Sequence, residues 1–576
     1  MYILFNYRRR LLAVFIFFFL FLIVGISRLF FIQLFRSDYL SEIAKKQHNL
    51  FVELEPRRGT IYDSRSRPQA VNLVMDSLFV TPRSIPDKEK EKVIRVLSQV
   101  LNLDSTALRS KLYRKKSFVW IARKIPALQA DAIKKANLKG VGFIKESKRS
   151  YPNGYLASHV IGFSGLDNNG LEGLELLFDK YLKGEPGWSL VMRDARQKKL
   201  DFADNMLSPV DGCDLFLSID EIIQYIAERE LDKAYNEFHA KGASIIVMDP
   251  YSGAILAMAN RPTFDMNDYS KVTKDQMRNR AICDLFEPGS VFKVVTASAA
   301  LEEKKVKEED RFFCENGSYR YGNRVLHDHK PHGVLTFREV IELSSNIGTS
   351  KVAQLLGPDL LYRYIRLFGF GAKTGIDLPG EIPGMIRGPK SWSKTSILSI
   401  PMGQEVGVTA LQLASAMSVI ANGGQLMKPF VVREVRDKNG KIVQQFPPRL
   451  VNQVLSADTA ARIRKILTGV VEEGTGKLAK IPGFSAAGKT GTAQKLEPNG
   501  TYSHDKFIAS FVGFAPAEEP LITIVVSVDE PRPVYFGGVV AAPVFSNVAV
   551  DVLRYLRTNQ APEELPVFSE SVAGNN

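Results

Sequence analysis

Residues 11–26 are apolar without a break except for Gly25, and residues 29–34 extend the run past Ser27 and Arg28 with only Gln33 polar. A stretch of about 20 apolar residues is long enough to cross a bilayer as a helix. Arg8, Arg9 and Arg10 precede it. Basic residues ahead of a first span favour a cytoplasmic N-terminus. A cleaved signal peptide would need a short apolar core and then a small-x-small cleavage site. The Phe- and Leu-rich sequence around and after Gly25 offers none, so the segment reads as an uncleaved anchor. No second run of this kind follows, which places the rest of the chain outside the cytoplasmic membrane.

At 576 residues the chain is too long for a single core and is expected to form several domains. Its net charge of +14 is spread along the sequence. Nucleic-acid binding calls for clustered basic residues, so no nucleic-acid partner is expected. A basic surface beside an anionic membrane and cell wall accounts for the charge. The cysteines are Cys213, Cys283 and Cys314, an odd number with no Cys-x-x-Cys or Cys/His cluster. Neither a disulfide framework nor a metal site follows from them. Cys283 reads as a small buried hydrophobe.

Beyond the span, residues 38–49 read as a helix leading away from the membrane. Residues 57–63 (Arg-Arg-Gly-Thr-Ile-Tyr-Asp) then precede a basic turn, in which Arg65 and Arg67 read as solvated. Residues 80–140 carry helical apolar spacing at Val93, Val96, Leu97, Val100 and Leu101, as in a small α/β unit. His159 lies far from the motifs described below and reads as a structural hydrogen-bonding residue. Residues 209–212 read as a turn at a domain junction. Strands are expected at 215–219, 243–248, 254–259 and 521–528, with a hairpin connection at 249–253. Helices are expected at 221–238, 410–421 and 544–556.

Three short motifs carry the chemistry. In the first, Glu287-Pro288-Gly289 punctuates the chain before Ser290, and Val291, Val294, Val295 and Ala299 recur at helical spacing. Ser290 therefore opens a helix, and Lys293 lies one turn on along the same face. A serine hydroxyl needs a base to become a nucleophile. A lysine can be that base when burial or a second cation keeps it partly neutral, and Lys489 is the candidate cation. The second motif, Ser344-Ser345-Asn346, follows a helix-like run and sits on a loop at a helix end. The third, Lys489-Thr490-Gly491-Thr492, reads as the start of a strand. There Gly491 permits close backbone approach by a ligand, and Thr490 and Thr492 offer hydroxyls to a substrate carboxylate. Backbone N–H groups of Ser290 and Thr492 would form an oxyanion hole. Residues 483–490 also match the phosphate-loop pattern formally. That loop needs a helix after it, whereas residue 493 onward reads as strand.

With the motifs in this order, the chain resembles the class B penicillin-binding proteins, and among them the FtsI-type division transpeptidases (penicillin-binding protein 3). Residues 57–63, 149–154 and 170–175 resemble motifs of that family's non-catalytic pedestal, and residues 402–409 its segment before a Thr-Pro-Leu-Gln helix, with Ala410 here in place of the Pro. The resemblance implies an α+β protein. Residues 1–10 would be cytoplasmic, 11–34 a membrane anchor and 35–210 an elongated α/β pedestal. Residues 211–557 would form the transpeptidase domain, an antiparallel sheet sandwiched by helices, with 558–576 a tail. It implies that Ser290, Lys293, Ser344, Asn346 and Lys489 are catalytic and that Thr490, Gly491 and Thr492 bind substrate, with no cofactor. Ser344 would relay a proton to the leaving amine, and Asn346 would hold the donor peptide and contact Lys293. The implied activity is peptidoglycan D,D-transpeptidation at the septum, inhibited by β-lactams. The partners would be stem peptides on lipid II-derived glycan strands, an FtsW-type membrane glycosyltransferase and other divisome proteins. An elongation-type penicillin-binding protein 2 and a D,D-carboxypeptidase or β-lactam sensor are the alternatives.

Overall fold

The computed structural model describes residues 2–37, 39, 49–114, 116, 118–193, 199–200, 206–497 and 499–558. The expected tail and nearly all of the expected helix at 38–49 lie outside these residues; Asn49 itself opens a strand. The chain forms two compact units, one of residues 1–57 and 184–211, the other of residues 58–183 and 212–576.

The smaller unit begins with a helix over Tyr2–Phe35. Its apolar side chains from Leu11 to Phe35 are almost all exposed, as a lipid-facing helix requires. The unit also holds a four-stranded sheet in which Gly187–Arg193 pairs antiparallel with Asn49–Leu54, Lys199–Leu200 and Met206–Leu207. Residues 209–212 do not make the turn expected of them. Val210 is extended and exchanges both backbone hydrogen bonds with Glu185, at 2.8 and 2.9 Å.

The larger unit is organised by one antiparallel sheet. Its strands are β1 (Gly242–Met248), β2 (Ile255–Arg261), β3 (Ala487–Leu496), β4 (Tyr502–Ala515) and β5 (Ile522–Asp529), in the order β2-β1-β5-β4-β3. β1 reads as an unbroken apolar run because both its faces are covered. Ile245 and Val247 join a core with helices α1 (Glu221–Glu237) and α6 (Ala542–Thr558). Ile246 and Met248 join the opposite core with α2 (Lys293–Glu302), α4 (Asn346–Leu356) and α5 (Ala410–Ala421). Between α2 and α4 lies α3 (Phe337–Glu342). The helical stretch Gly537–Thr558 that ends in α6 is long and apolar enough to cross a membrane, but Val544, Phe545, Val548, Val552 and Leu553 bury its apolar face in the core. α5 is held by a capping box in which Thr409 and Gln412 exchange hydrogen bonds, worth about 1 kcal/mol. It packs on β1, β4 and β5.

The stretch 80–140 forms helices and strands as expected, with Val93 and Leu97 buried on the helix Asp87–Leu101. In the basic turn after Tyr62, Arg65 is exposed as its solvated reading expects and Arg67 is half-buried, but both are also paired. Asp63 is fully buried and accepts hydrogen bonds from the backbone of Arg65 (2.9 Å) and Arg67 (2.8 Å) and from Arg67 Nε (2.7 Å). Arg65 Nε and Arg67 Nη2 also donate to Asp220, the N-cap of α1, at 3.1 and 3.0 Å. Both arginines therefore tie the turn to α1, the first helix packed on the sheet.

The cysteines reverse one expectation. Cys283 is only half-buried, whereas Cys314 is fully buried and accepts from Ser345 Oγ at 3.4 Å. His159 is buried, with Nε2 2.8 Å from the carbonyl of Gln276. Burial pushes its imidazole down to about 4, so it is neutral and structural.

Candidate active site

Ser290 lies on a short 3₁₀ turn, Gly289–Phe292, that feeds directly into α2. The turn packs against β3, the edge strand of the sheet. A methyl group on Gly491 would meet Ser510 Oγ, Val291 Cγ2 and the carbonyl of Pro288, the last two at 2.8 and 2.9 Å. The close approach that requires a glycine here is therefore that of Ser510 on β4 and of the turn that carries Ser290. Beyond β3 the chain turns back into β4, with no helix after Lys489, so the phosphate-loop geometry is absent.

Ser344 occupies the end of α3. It sits at φ +61°, with its N–H donating to Ile341 O at 3.2 Å. This is the left-handed position past a helix end, where glycine is usual. A serine there costs about 1 kcal/mol, and the strain aims its hydroxyl at two lysines. Ser345 then caps α4, accepting from Gly348 N at 2.9 Å, and Asn346 is the first residue of that helix.

Lys293 and Lys489 are both fully buried. Lys293 Nζ donates to Ser344 O at 2.6 Å, to Ser344 Oγ at 3.2 Å and to Asn346 Oδ1 at 2.7 Å. Lys489 Nζ donates to the same Ser344 Oγ at 2.9 Å. One hydroxyl thus lies between two amines drawn from α2 and β3. Burial pushes Lys293 down to about 7, opposed by the charge of Asp328. Burial, then the charge of Lys293, pushes Lys489 well below the usual lysine range. Lys489 thus stands beside Lys293 as expected, but the depression of Lys293 comes from burial, and Lys489 is itself depressed and not a fixed second cation. A neutral Lys293 has two hydrogens for these three oxygens; with Ser344 O and Asn346 Oδ1 taking them, its lone pair faces the Ser344 hydroxyl. Asn346 is oriented from its other end, Nδ2 donating to His327 O at 2.8 Å.

Lys293, Ser344, Asn346 and Lys489 are thus joined by direct hydrogen bonds. Ser290 lies one turn before Lys293, half-buried, and its hydroxyl makes no hydrogen bond among the described residues. The two threonines differ from their expected part. Thr490 is buried, its hydroxyl 2.9 Å from that of Thr475. Thr492 is half-buried, and its Oγ1 accepts from Gly537 N at 3.0 Å. Of the two hydroxyls expected to meet a carboxylate, Thr492 offers the accessible one.

Asp328 escaped the sequence reading. Its carboxylate accepts from Ser345 Oγ at 2.6 Å and from the backbone of Asn346 (2.5 Å) and Ile347 (3.0 Å). It anchors the Ser344–Asn346 loop and is the charge that opposes the depression of Lys293. Its partners lie 17 to 19 residues away in sequence, beyond any local pattern.

The sequence matches the penicillin-binding protein transpeptidase domain over residues 243–549 and the penicillin-binding protein dimerisation domain over residues 53–217. It is 39% identical over 558 residues to Stage V sporulation protein D of Bacillus subtilis, covering 95% of this chain and 86% of that protein. The chain belongs to the class B penicillin-binding proteins. Another member, peptidoglycan D,D-transpeptidase FtsI of Escherichia coli, is 32% identical over 546 residues, 94% of this chain and 90% of its own. Among solved structures, penicillin-binding protein 3 of Mycobacterium tuberculosis, complexed with aztreonam, superposes with a TM-score of 0.69 at 29% identity, covering 89% of this chain and 98% of that one. The helix-flanked antiparallel sheet of this penicillin-binding protein thus belongs to a family architecture.

Proposed function

We propose that this class B penicillin-binding protein is a septal peptidoglycan D,D-transpeptidase that β-lactams acylate at Ser290. The observation that carries the reading is the pair of buried lysines sharing the Ser344 hydroxyl, one of which, Lys293, lies one helical turn from Ser290. Lys293 takes the Ser290 proton as Ser290 Oγ attacks the carbonyl of the penultimate D-alanine of a donor stem peptide. Backbone N–H groups of Ser290 and Thr492 stabilise the oxyanion. The terminal D-alanine leaves with a proton passed through Ser344, and the ester remains on Ser290. A side-chain amine of a neighbouring stem then attacks the ester, forming the cross-link amide, and its proton returns the serine. β3 is an edge strand, so an extended donor peptide can lie along it, with the Thr492 hydroxyl and the Lys489 amine, once protonated by the incoming anion's field, at its carboxylate. Residues 35–210 serve as the pedestal and 211–557 as the catalytic domain. The Tyr2–Phe35 helix anchors the protein with that domain on the outer face of the cytoplasmic membrane, beside an FtsW-type polymerase and other divisome proteins.

The position of Ser344 gives a test with little structural cost. Ser344→Gly keeps the backbone at φ +61° and removes the CH2OH side chain whose hydroxyl lies between the lysines. We expect a melting temperature no lower than wild type and acylation by fluorescent penicillin slowed by ~10²-fold, the lower range of general acid–base contributions. Wild-type acylation in this variant would remove Ser344 from the proton path.

The septal role is tested by exchanging residues 1–34 for a cleavable signal at the native locus. Penicillin labelling should persist, because the site is built within the larger unit. Division should fail and leave filaments, because a membrane polymerase is met only at the bilayer. Rounded cells would assign the protein to elongation. Normal growth with failed sporulation would match the relative from Bacillus subtilis instead, and full division would remove the polymerase partner.

A further inference from the structure

Glu287 precedes the nucleophile by three residues, is half-buried and makes no ion pair among the described residues. One of its oxygens, Oε1, accepts from two directions: the backbone N–H of Glu405 at 2.8 Å and the phenol of Tyr502 at 3.2 Å. Burial raises this carboxyl, and the two donors oppose that rise.

Each partner belongs to a different wall of the site. Glu405 lies on the loop that runs beside the Ser290 turn. Phe286 and Val408 exchange backbone hydrogen bonds at 3.1 and 2.9 Å, and Gly289 N donates to Gly403 O at 3.3 Å. A methyl group on Gly403 would lie 2.6 Å from Gly289 N, so this loop and the nucleophile turn are in backbone contact. Glu405 holds φ +60°, a conformation costly to a side-chain-bearing residue. Two anchors keep it there: Glu287 at its N–H, and Arg387 Nη2 with Ser396 Oγ at its carboxylate, at 2.9 and 2.8 Å. Tyr502 opens β4 opposite Leu496, at the far end of the hairpin whose other strand carries Lys489 to Thr492. Burial and the Glu287 charge push the Tyr502 phenol above the usual range, so it stays a donor.

Resting on the acyl-transfer reading above, we propose that Glu287 is a positioning residue that sets the spacing between the Ser290 turn, the 403–408 loop and the β3–β4 hairpin. The spacing it holds is that between the backbone N–H groups of Ser290 and Thr492, where the oxyanion forms. Glu287 itself touches no reacting atom. What it contributes is an acceptor oxygen at a fixed place, and not its charge.

The test is the concentration dependence of acylation by fluorescent penicillin in the full-length membrane-bound protein, with melting followed alongside. Glu287→Ala is expected to lower the maximal acylation rate by at least ~10-fold, within the range that small misplacement costs. Its half-saturating concentration should move by less than ~3-fold, because the loss falls on the transition state. Glu287→Gln keeps an oxygen for both donors and should restore the rate to within ~3-fold of wild type. Tyr502→Phe removes one of the two contacts and should fall between them. A wild-type rate in Glu287→Ala overturns the proposal, as does a Glu287→Gln protein as slow as Glu287→Ala. If Glu287→Ala does not fold, Tyr502→Phe decides: a slowed maximal rate supports the proposal and an unchanged one overturns it. Wild-type protein that takes no label, or Ser290→Ala protein that still does, would instead remove the acyl-transfer reading itself.

Discussion

Ser290→Ala is expected to abolish covalent penicillin labelling while the protein stays folded and membrane-bound. The substitution removes one oxygen from a half-buried position at the start of α2 and breaks no hydrogen bond among the described residues. Its effect on stability should therefore lie within the ~0.5 kcal/mol typical of substitutions away from a packed core or a network. Labelling should fall to background, because among the described residues no other hydroxyl lies one helical turn before a depressed lysine. The phosphate-loop and nucleic-acid readings both predict no effect of this substitution. Labelling retained at another serine would move the nucleophile elsewhere.

Lys293→Ala is expected to slow acylation by at least ~10²-fold, the scale of a positioned general base. The accompanying pH profile follows from the sign of its shift. Burial lowers the Lys293 amine from 10.5 to about 7. Below that value the amine is protonated and cannot accept the Ser290 proton, so wild-type acylation should rise with pH through about 7 and level off above it. Removing Asp328 should move this limb to lower pH, because the only charge shown holding the amine up is then lost. Near-normal acylation of Lys293→Ala at neutral pH, or a wild-type rate flat across the limb, would show that Lys293 is not the base.

What the sequence made legible is what local spacing encodes. The helix expected at 221–238 forms over Glu221–Glu237 because an Asp cap and a regular apolar stripe start it and hold it. The turn from Gly289 into α2, the strand carrying Lys489 and the hairpin between β1 and β2 follow from local punctuation in the same way. What was not legible depends on partners distant in sequence. Arg65 and Arg67 carry no local sign that Asp220 will pair with them. Thr490 gives no sign that Thr475, in another element, will take its hydroxyl. Asp328 sits among histidines with nothing to link it to Ser345. The left-handed backbone of Ser344 was also hidden, because a glycine would have announced it and a serine does not. At Gly491 the residue was read correctly as a point of close approach, but the approaching group proved to be the protein itself.

The most direct measurement of the central claim is the mass of the acylated protein and of its proteolytic peptides after brief exposure to penicillin at pH 8. The account predicts one adduct per chain, carried by the peptide that contains Ser290 and absent when Lys293 is replaced by alanine. An adduct on any peptide lacking Ser290, or one that forms equally fast without Lys293, would contradict it.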